Sequence, residues 1–317
     1  MKTLKFANGD EMPSFGLGTW KSAPGDVYEA VKTAVKLGYR HIDCASIYGN
    51  EAEIGAALSE LLADGVVTRE EMWITSKLWN DSHAPDDVAP ALQATLDRLK
   101  LDYVDLYLMH WPVALKKGVT LAQSGDDFIS LDELPVAKTW EAMEYLVMAG
   151  GCRHIGVSNF SVPKLSALLE VANRAPEMNQ IELHPYLQQP EMLEFCRARE
   201  VHVTAYSPLG APDRPGVFKA DDEPVLLKDQ VVLELAESLG VSAAQVLIAW
   251  AIARGTAVIP KSVNPERLKQ NLKAAALTLS AADMAAIAAL DRQRRYVDVQ
   301  LWTPPGSPYT AANIWDQ

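Results

Sequence analysis

Gly16-Leu17-Gly18-Thr19-Trp20 opens like the glycine-rich turn of a dinucleotide-binding unit, and what comes next decides the fold. A third glycine is missing and no helical pattern begins at once, so the turn that cradles a pyrophosphate in an open doubly wound sheet lacks its main support. The rest of the chain alternates in a way that both α/β architectures share. Short apolar runs at Phe15–Leu17, His41–Ile42, Trp73–Thr75, Val104–Met109, His154–Val157, Asn179–Glu182, His202–Ala205 and Ala257–Ile259 read as eight strands. Helical patterns lie between them, near Val27–Leu37, Glu51–Ala63, Asp86–Leu99, Val136–Met148, Val162–Val171, Pro190–Arg199 and Gln230–Leu239, with Pro265–Lys273 after the last strand. Ala243–Ala253 adds a helix before that strand and Ala281–Leu290 another after it. Strict alternation implies parallel strands joined by right-handed crossovers. With the dinucleotide fingerprint gone, the expected architecture is a (β/α)8 TIM barrel spanning 1–317 as one domain.

Outward from this core, Lys2–Met12 reads as a hairpin, because Asn8-Gly9 supplies the positive φ angles of a tight primed turn. Three segments are longer than plain connectors: Trp111–Leu134, Ser207–Pro224, and the tail from Arg292 to Gln317. Long loops in compact domains commonly form lids or binding walls. No apolar run reaches the roughly 18 residues of a membrane span, and MKTLKFANGDEMPSFG lacks the apolar core of a signal peptide, which leads us to expect a soluble, cytoplasmic protein. A formal net charge of -12 works against nucleic acid or an anionic membrane as a partner. Cys44, Cys152 and Cys196 are scattered and odd in number, which argues against a disulfide framework or a structural zinc site.

In such a barrel the active site forms at the C-terminal ends of the strands, so polar residues that end apolar runs are the first candidates. They are Asp43 with Tyr48 in the following loop, Lys77, His110, Ser158-Asn159, Gln180 or Glu182, Tyr206-Ser207, and Lys261-Ser262. Taken singly each has an ordinary structural explanation: a helix cap, a core aromatic, a surface lysine, a core histidine. Four ionisable groups of complementary type on three consecutive strands make a stronger case, since buried lysine and aspartate are rare unless paired. Tyrosine titrates near pH ~10 in water, and a nearby ammonium favours its phenolate. Lys77 would be that ammonium, Asp43 would hold it, and a neutral His110 could donate a hydrogen bond to a carbonyl oxygen. Together the four would make a site that protonates an oxyanion.

These residues lie in stretches that resemble the signatures of the aldo-keto reductase superfamily, nearest its aldose and aldehyde reductase branch. Gly38-Tyr39-Arg40-His41-Ile42-Asp43-Cys44-Ala45, continuing through Tyr48, Glu51 and Ile54-Gly55, is similar to the first signature. Arg153-His154-Ile155-Gly156-Val157-Ser158-Asn159-Phe160 is similar to the second, and Ile259-Pro260-Lys261-Ser262 with Arg267 and Gln270-Asn271 to the third. The resemblance implies a barrel that reduces aldehydes or ketones with NADPH, with a catalytic tetrad of Asp43, Tyr48, Lys77 and His110. It further implies that Ser158, Asn159 and Gln180 hold the nicotinamide carboxamide, with Tyr206 stacked on its ring. Thr19, Trp20, Ser207 and Leu209 would join them along the cofactor, and Ser207-Pro208-Leu209-Gly210-Ala211-Pro212-Asp213-Arg214-Pro215 is similar to the segment that folds over the pyrophosphate.

At the far end of the cofactor, Lys261, Ser262 and Arg267 set two cations and a hydroxyl together on an acidic chain, which suits a 2′-phosphate, and Asn271 would face the adenine. The ordinary explanation there is an exposed helix, PERLKQNLK. Trp20, Trp79, Trp111 and Trp302 are candidates for the apolar walls of the substrate pocket. The expected partner is a small carbonyl compound, with no metal, and relatives of this branch are often monomers. Two other functions compete: an NADPH-binding sensor or structural protein of the same fold, and a metal-dependent hydrolase using Asp43, His110, Glu182 and His184. An intact tetrad speaks against the first, and a lone His184-Pro185 gives the second little support.

Overall fold

The computed structural model describes residues 2–316 apart from 213, 215, 217, 218 and 220–222; Asp213 and Pro215 of the expected pyrophosphate segment, and Gln317 of the tail, lie outside the described residues. The chain starts with an antiparallel hairpin, β1 (Thr3–Lys5) and β2 (Glu11–Pro13). Its turn is not the tight primed type expected. Of the dipeptide only Gly9 has positive φ, at 94°, while Phe6 N–H donates to Asp10 O and Gly9 N–H to Phe6 O. These bonds make a three-residue loop, in which a single left-handed position suffices and glycine fills it.

The barrel strands are β3 (Leu17–Gly18), β4 (His41–Asp43), β5 (Trp73–Leu78) and β6 (Val104–Met109), then, after a small hairpin of β7 (Ala114–Leu115) and β8 (Phe128–Ile129), β9 (Cys152–Ser158), β10 (Met178–Glu182), β11 (His202–Tyr206) and β12 (Ala257–Val258). The eight pair in parallel in chain order, β3 to β12. The helices between them are α1 (Asp26–Leu37), α2 (Glu51–Ala63), α3 (Pro85–Leu99), α4 (Val136–Met148), α5 (Val162–Val171), α6 (Pro190–Ala198), then α7 (Gln230–Leu239) and α8 (Ala243–Ala253) before β12, and α9 (Pro265–Ala274) after it. Two more, α10 (Ala281–Ala288) and α11 (Ala311–Trp315), belong to the tail. Each helix follows its sequence pattern within a residue or two. The β7–β8 hairpin and α11 were not read from the sequence, because two-residue strands and a five-residue helix carry too little periodicity to register.

The sheet closes on itself where the opening glycines lie. Gly16 N–H donates to Val258 O at 2.9 Å, Gly18 N–H to Pro260 O at 3.2 Å, and Val258 N–H to Ser14 O at 2.9 Å, with parallel bridges Phe15 to Val258 and Gly18 to Lys261. A methyl group on Gly18 would stand 2.6 Å from Ile259 O, and one on Gly16 would stand 2.5 Å from the His41 ring. Of the glycine pair that looked like half of a nucleotide turn, Gly18 therefore lets the first strand approach the last, and Gly16 leaves room for the His41 ring of β4.

The N-terminal hairpin plugs the mouth where the strands begin. Phe6 is buried against Trp73, His154 and His202 with centroids 5.1, 4.2 and 4.7 Å away, and packs in one cluster with Met12, Leu106, Leu108, Met178 and Ala257. Between strands and helices lies the main core, where α8 is apolar on every side and buries Val246 to Ile252. No single helix among the described residues is long and apolar enough to cross a membrane. The three thiols are all buried and unbridged, and burial pushes those of Cys152 and Cys196 up to about 12.

Candidate active site

At the other mouth, where the strands end, β4 presents Asp43, β5 Lys77, the residue after β6 is His110, β9 ends at Ser158 with Asn159 next, and β10 and β11 bring Gln180 and Tyr206. The Lys77 ammonium is fully buried and makes three contacts: 2.5 Å to Asp43 Oδ1, 2.8 Å to Cys44 O and 3.4 Å to the Tyr48 hydroxyl. The second oxygen of Asp43 accepts from Gln180 Nε2 at 2.7 Å. Thr19 Oγ1 donates to Asp43 O at 2.7 Å, and Asn50 Nδ2 to Thr19 O at 2.9 Å, which ties the loop after β3 to the same strand end. A buried ion pair of this kind is held only when its remaining lone pairs and protons find partners, and here they do.

Burial by itself would push the Lys77 ammonium down; the Asp43 carboxylate, with Tyr48, outweighs it, and the net shift is upward. Burial raises the Tyr48 phenol to about 12, against the pull of Lys77. His110 is held well below its ordinary value by burial first and by Lys77 and His83 after that, so its imidazole is neutral near neutrality. Its ring stands edge-on to Tyr48 at 5.9 Å and to Trp79 at 5.1 Å.

The neighbouring amides form a second network. Asn159 takes a left-handed backbone, φ 63°, which asparagine tolerates better than most residues. From there Nδ2 donates to His110 O at 2.9 Å and to Ser158 Oγ at 3.1 Å, while Oδ1 accepts the Tyr206 hydroxyl at 2.6 Å. Ser158 Oγ donates to Gln180 O at 2.8 Å. Tyr206 is thereby fixed in its ring plane, with one edge tied down.

A cleft of about 970 Å³ runs across this mouth. Its walls include Thr19, Trp20, Asp43, Tyr48, Trp79, His110, Trp111, Ser158, Asn159, Gln180, Tyr206, Ser207, Leu209, Lys261, Ser262, Arg267, Asn271 and Trp302. Of the strand-end candidates, Lys77 and Glu182 do not line this continuous space: Lys77 stands just behind it and Glu182 is fully buried. One end is aromatic: Trp302 packs 5.7 Å from Trp79 and 5.6 Å from Trp111, Trp315 packs 5.8 Å from Trp111, and Trp20 stands at the rim, 40% exposed. The other end is formed by the segment after β12 and the start of α9, where Asn264 caps the helix by accepting from Arg267 N–H at 3.0 Å.

Of the tail, sequence reading singled out the segment and named only Trp302 as a wall residue. Tyr296, Val297, Asp298 and Leu301 also line the cleft. Tyr296 and Val297 are held there by Glu182, a fully buried carboxylate whose Oε1 accepts Tyr296 N–H at 2.6 Å and lies 2.8 Å from His184 Nε2, while Oε2 accepts Val297 N–H at 3.0 Å. This corrects the metal-hydrolase alternative: Glu182 and His184 are occupied with each other and the tail, Asp43 with Lys77 and Gln180. No group of three or more His, Cys, Asp or Glu among the described residues is arranged to hold a metal ion. The Glu182 latch had a signal, an acidic residue at an inward strand position, but its partners are backbone amides more than a hundred residues away.

Comparisons with known proteins agree with this geometry. A family model described as "Aldo/keto reductase family" matches residues 13–292. A protein of Synechocystis sp. named an aldo/keto reductase is 56% identical over 317 residues, covering 100% of this chain and 97% of that one. The human protein named aldo-keto reductase family 1 member A1 is 49% identical over 291 residues, 91% of this chain and 89% of that one. Among solved structures, an aldose reductase from Schistosoma japonicum superposes with a TM-score of 0.86 at 38% identity, covering 95% of this chain and 96% of that one.

Proposed function

The chain belongs to the aldo/keto reductase family, whose members are oxidoreductases of small carbonyl compounds, and on that premise we propose that it reduces aldehydes and ketones to alcohols with NADPH, with Tyr48 as proton donor. The observation that carries this reading is the Lys77 ammonium, which contacts both Asp43 and the Tyr48 hydroxyl at the floor of the cleft. A phenol held at about 12 is protonated at neutral pH and available to give its proton. As the proton leaves, the charge that develops on the Tyr48 oxygen faces an ammonium whose own proton is secured by Asp43. Neutral His110 points a substrate carbonyl toward that hydroxyl by hydrogen bonding.

The cleft fits an extended dinucleotide on the chemistry of its donors. Lys261, Ser262 and Arg267 at the start of α9 suit a phosphate, since helix N-termini carry unpaired N–H groups and partial positive charge. They would take the 2′-phosphate, Asn271 the adenine, and Ser207 and Leu209 the pyrophosphate segment. Ser158, Asn159 and Gln180 would hold the carboxamide beside Tyr206. Bound in this way, the cofactor would supply the hydride that the protein's own side chains cannot. We place the protein in the cytoplasm as a single-domain monomer.

Purified protein should oxidise NADPH in the presence of an aromatic aldehyde, an aldose, a keto ester or a steroid ketone, and do so far more slowly with NADH. Tight NADPH binding without turnover of any of them would move the reading to a sensor or structural protein. Equal rates with both cofactors would remove the assignment of a 2′-phosphate site.

A further inference from the structure

We propose that the cleft selects neutral and cationic carbonyl compounds over those that carry a second, anionic group, and that Asp298 sets this choice. The proposal rests on the carbonyl-reductase reading and deepens it to a substrate class. Among the described residues, the charged side chains that line the cleft are Asp43, Arg214, Lys261, Arg267 and Asp298. Asp43 is committed to Lys77 and Gln180, and Arg214 is ion-paired with Glu223. Lys261 and Arg267 stand at the α9 end. That leaves Asp298 as the lining charge that is neither ion-paired nor at the α9 end.

Its position follows from the tail. Glu182 pins Val297 N–H immediately before it, and Val299 immediately after it is buried in one cluster with Trp79, Trp111 and Trp302. Asp298 Oδ1 accepts Gln300 N–H at 3.2 Å, which fixes the carboxylate in its turn, and it has no cationic partner among the described residues. Nearby cations are directed elsewhere: Arg295 stacks on Trp315 at 3.7 Å and Lys21 on Trp20 at 4.0 Å, and neither lines the cleft. A carboxylate on the cleft wall with no cationic partner repels a second anion that enters beside it, and because its bond to Gln300 is exposed, that repulsion is open to screening by salt.

The test uses two aldehydes of one shape, 4-carboxybenzaldehyde and methyl 4-formylbenzoate, with NADPH. The acid should show a kcat/KM lower than the ester by about 10-fold, equivalent to about 1.4 kcal/mol, mainly through KM. In Asp298→Asn the acid-to-ester ratio should rise by about threefold or more, and raising salt toward about 1 M should narrow the wild-type gap because it screens the repulsion. Equal kcat/KM for acid and ester in the wild-type enzyme would overturn the proposal, as would a gap unchanged in Asp298→Asn. Should that variant fail to fold, a gap insensitive to salt overturns it instead. Failure to reduce even the neutral ester or any aldehyde of the wider panel would strike the reductase reading itself, whereas turnover without discrimination strikes only the role of Asp298.

Discussion

Tyr48 sits between burial, which raises its phenol to about 12, and Lys77, which pulls the other way. The balance leaves it protonated through neutrality, and His110 is already neutral there. Reduction should therefore show a flat kcat/KM between about pH 6 and 9, with no limb at the ordinary histidine value of about 6.5. A bell centred near neutrality would require a different acid. Tyr48→Phe should lower kcat by about 10²- to 10⁴-fold while NADPH affinity, followed by fluorescence titration, stays nearly intact. Lys77→Met strands a buried carboxylate and should lower stability by about 3–5 kcal/mol as well as abolish turnover. Adding Asp43→Asn to it should recover part of that loss in a denaturation experiment; additive losses would mean that the pair is not coupled. That these four residues lie together was legible in the sequence from their types and from their places at or just after strand ends. The Gln180 to Asp43 bond was not, because it joins strands far apart in the chain that meet only inside the closed barrel.

Among elements, closure between β3 and β12 depends on a position with no side chain. Gly18→Ala would drive a methyl into Ile259 O and should cost about 1–3 kcal/mol, read as a lowered Tm, whereas Gly65→Ala, in open space at φ 65°, pays only for its backbone angle. Equal losses would deny the steric account. At the α9 end, Lys261→Ala with Arg267→Ala should weaken NADPH far more than NADH; equal weakening in a titration would move the phosphate elsewhere. Strands and helices were legible because their apolar spacing is long and regular. The hairpin turn was misread because Asn8-Gly9 fits two loop lengths, and the choice between them rests on the Phe6 to Asp10 pairing. The tail was the least legible, since Tyr296 and Val297 are fixed through their backbone amides, which no side-chain pattern announces.

On the scale of the whole molecule, acid should act through buried histidines. His41 is held near 4, His83 near 3 and His110 well below its ordinary value, in each case chiefly by burial. In the unfolded chain these rings titrate near ~6.5, so between about pH 6.5 and 4 the unfolded state binds more protons than the folded one. Stability is full above that window and falls as pH drops through it, and the thermal midpoint should decline steeply there; a midpoint constant from pH 7 to 4 would contradict the burial of these rings. The placement of the two chain ends has a consequence for anyone who handles the protein. The amino-terminal hairpin stops the mouth opposite the cleft, while α11 ends with Trp315 against Trp111 and Arg295, and with Lys164 Nζ at 2.7 Å from Asp316. A purification tag or fluorescent fusion on the amino terminus should leave kinetics as they are, and the same cargo on the carboxyl terminus should alter which aldehydes are turned over.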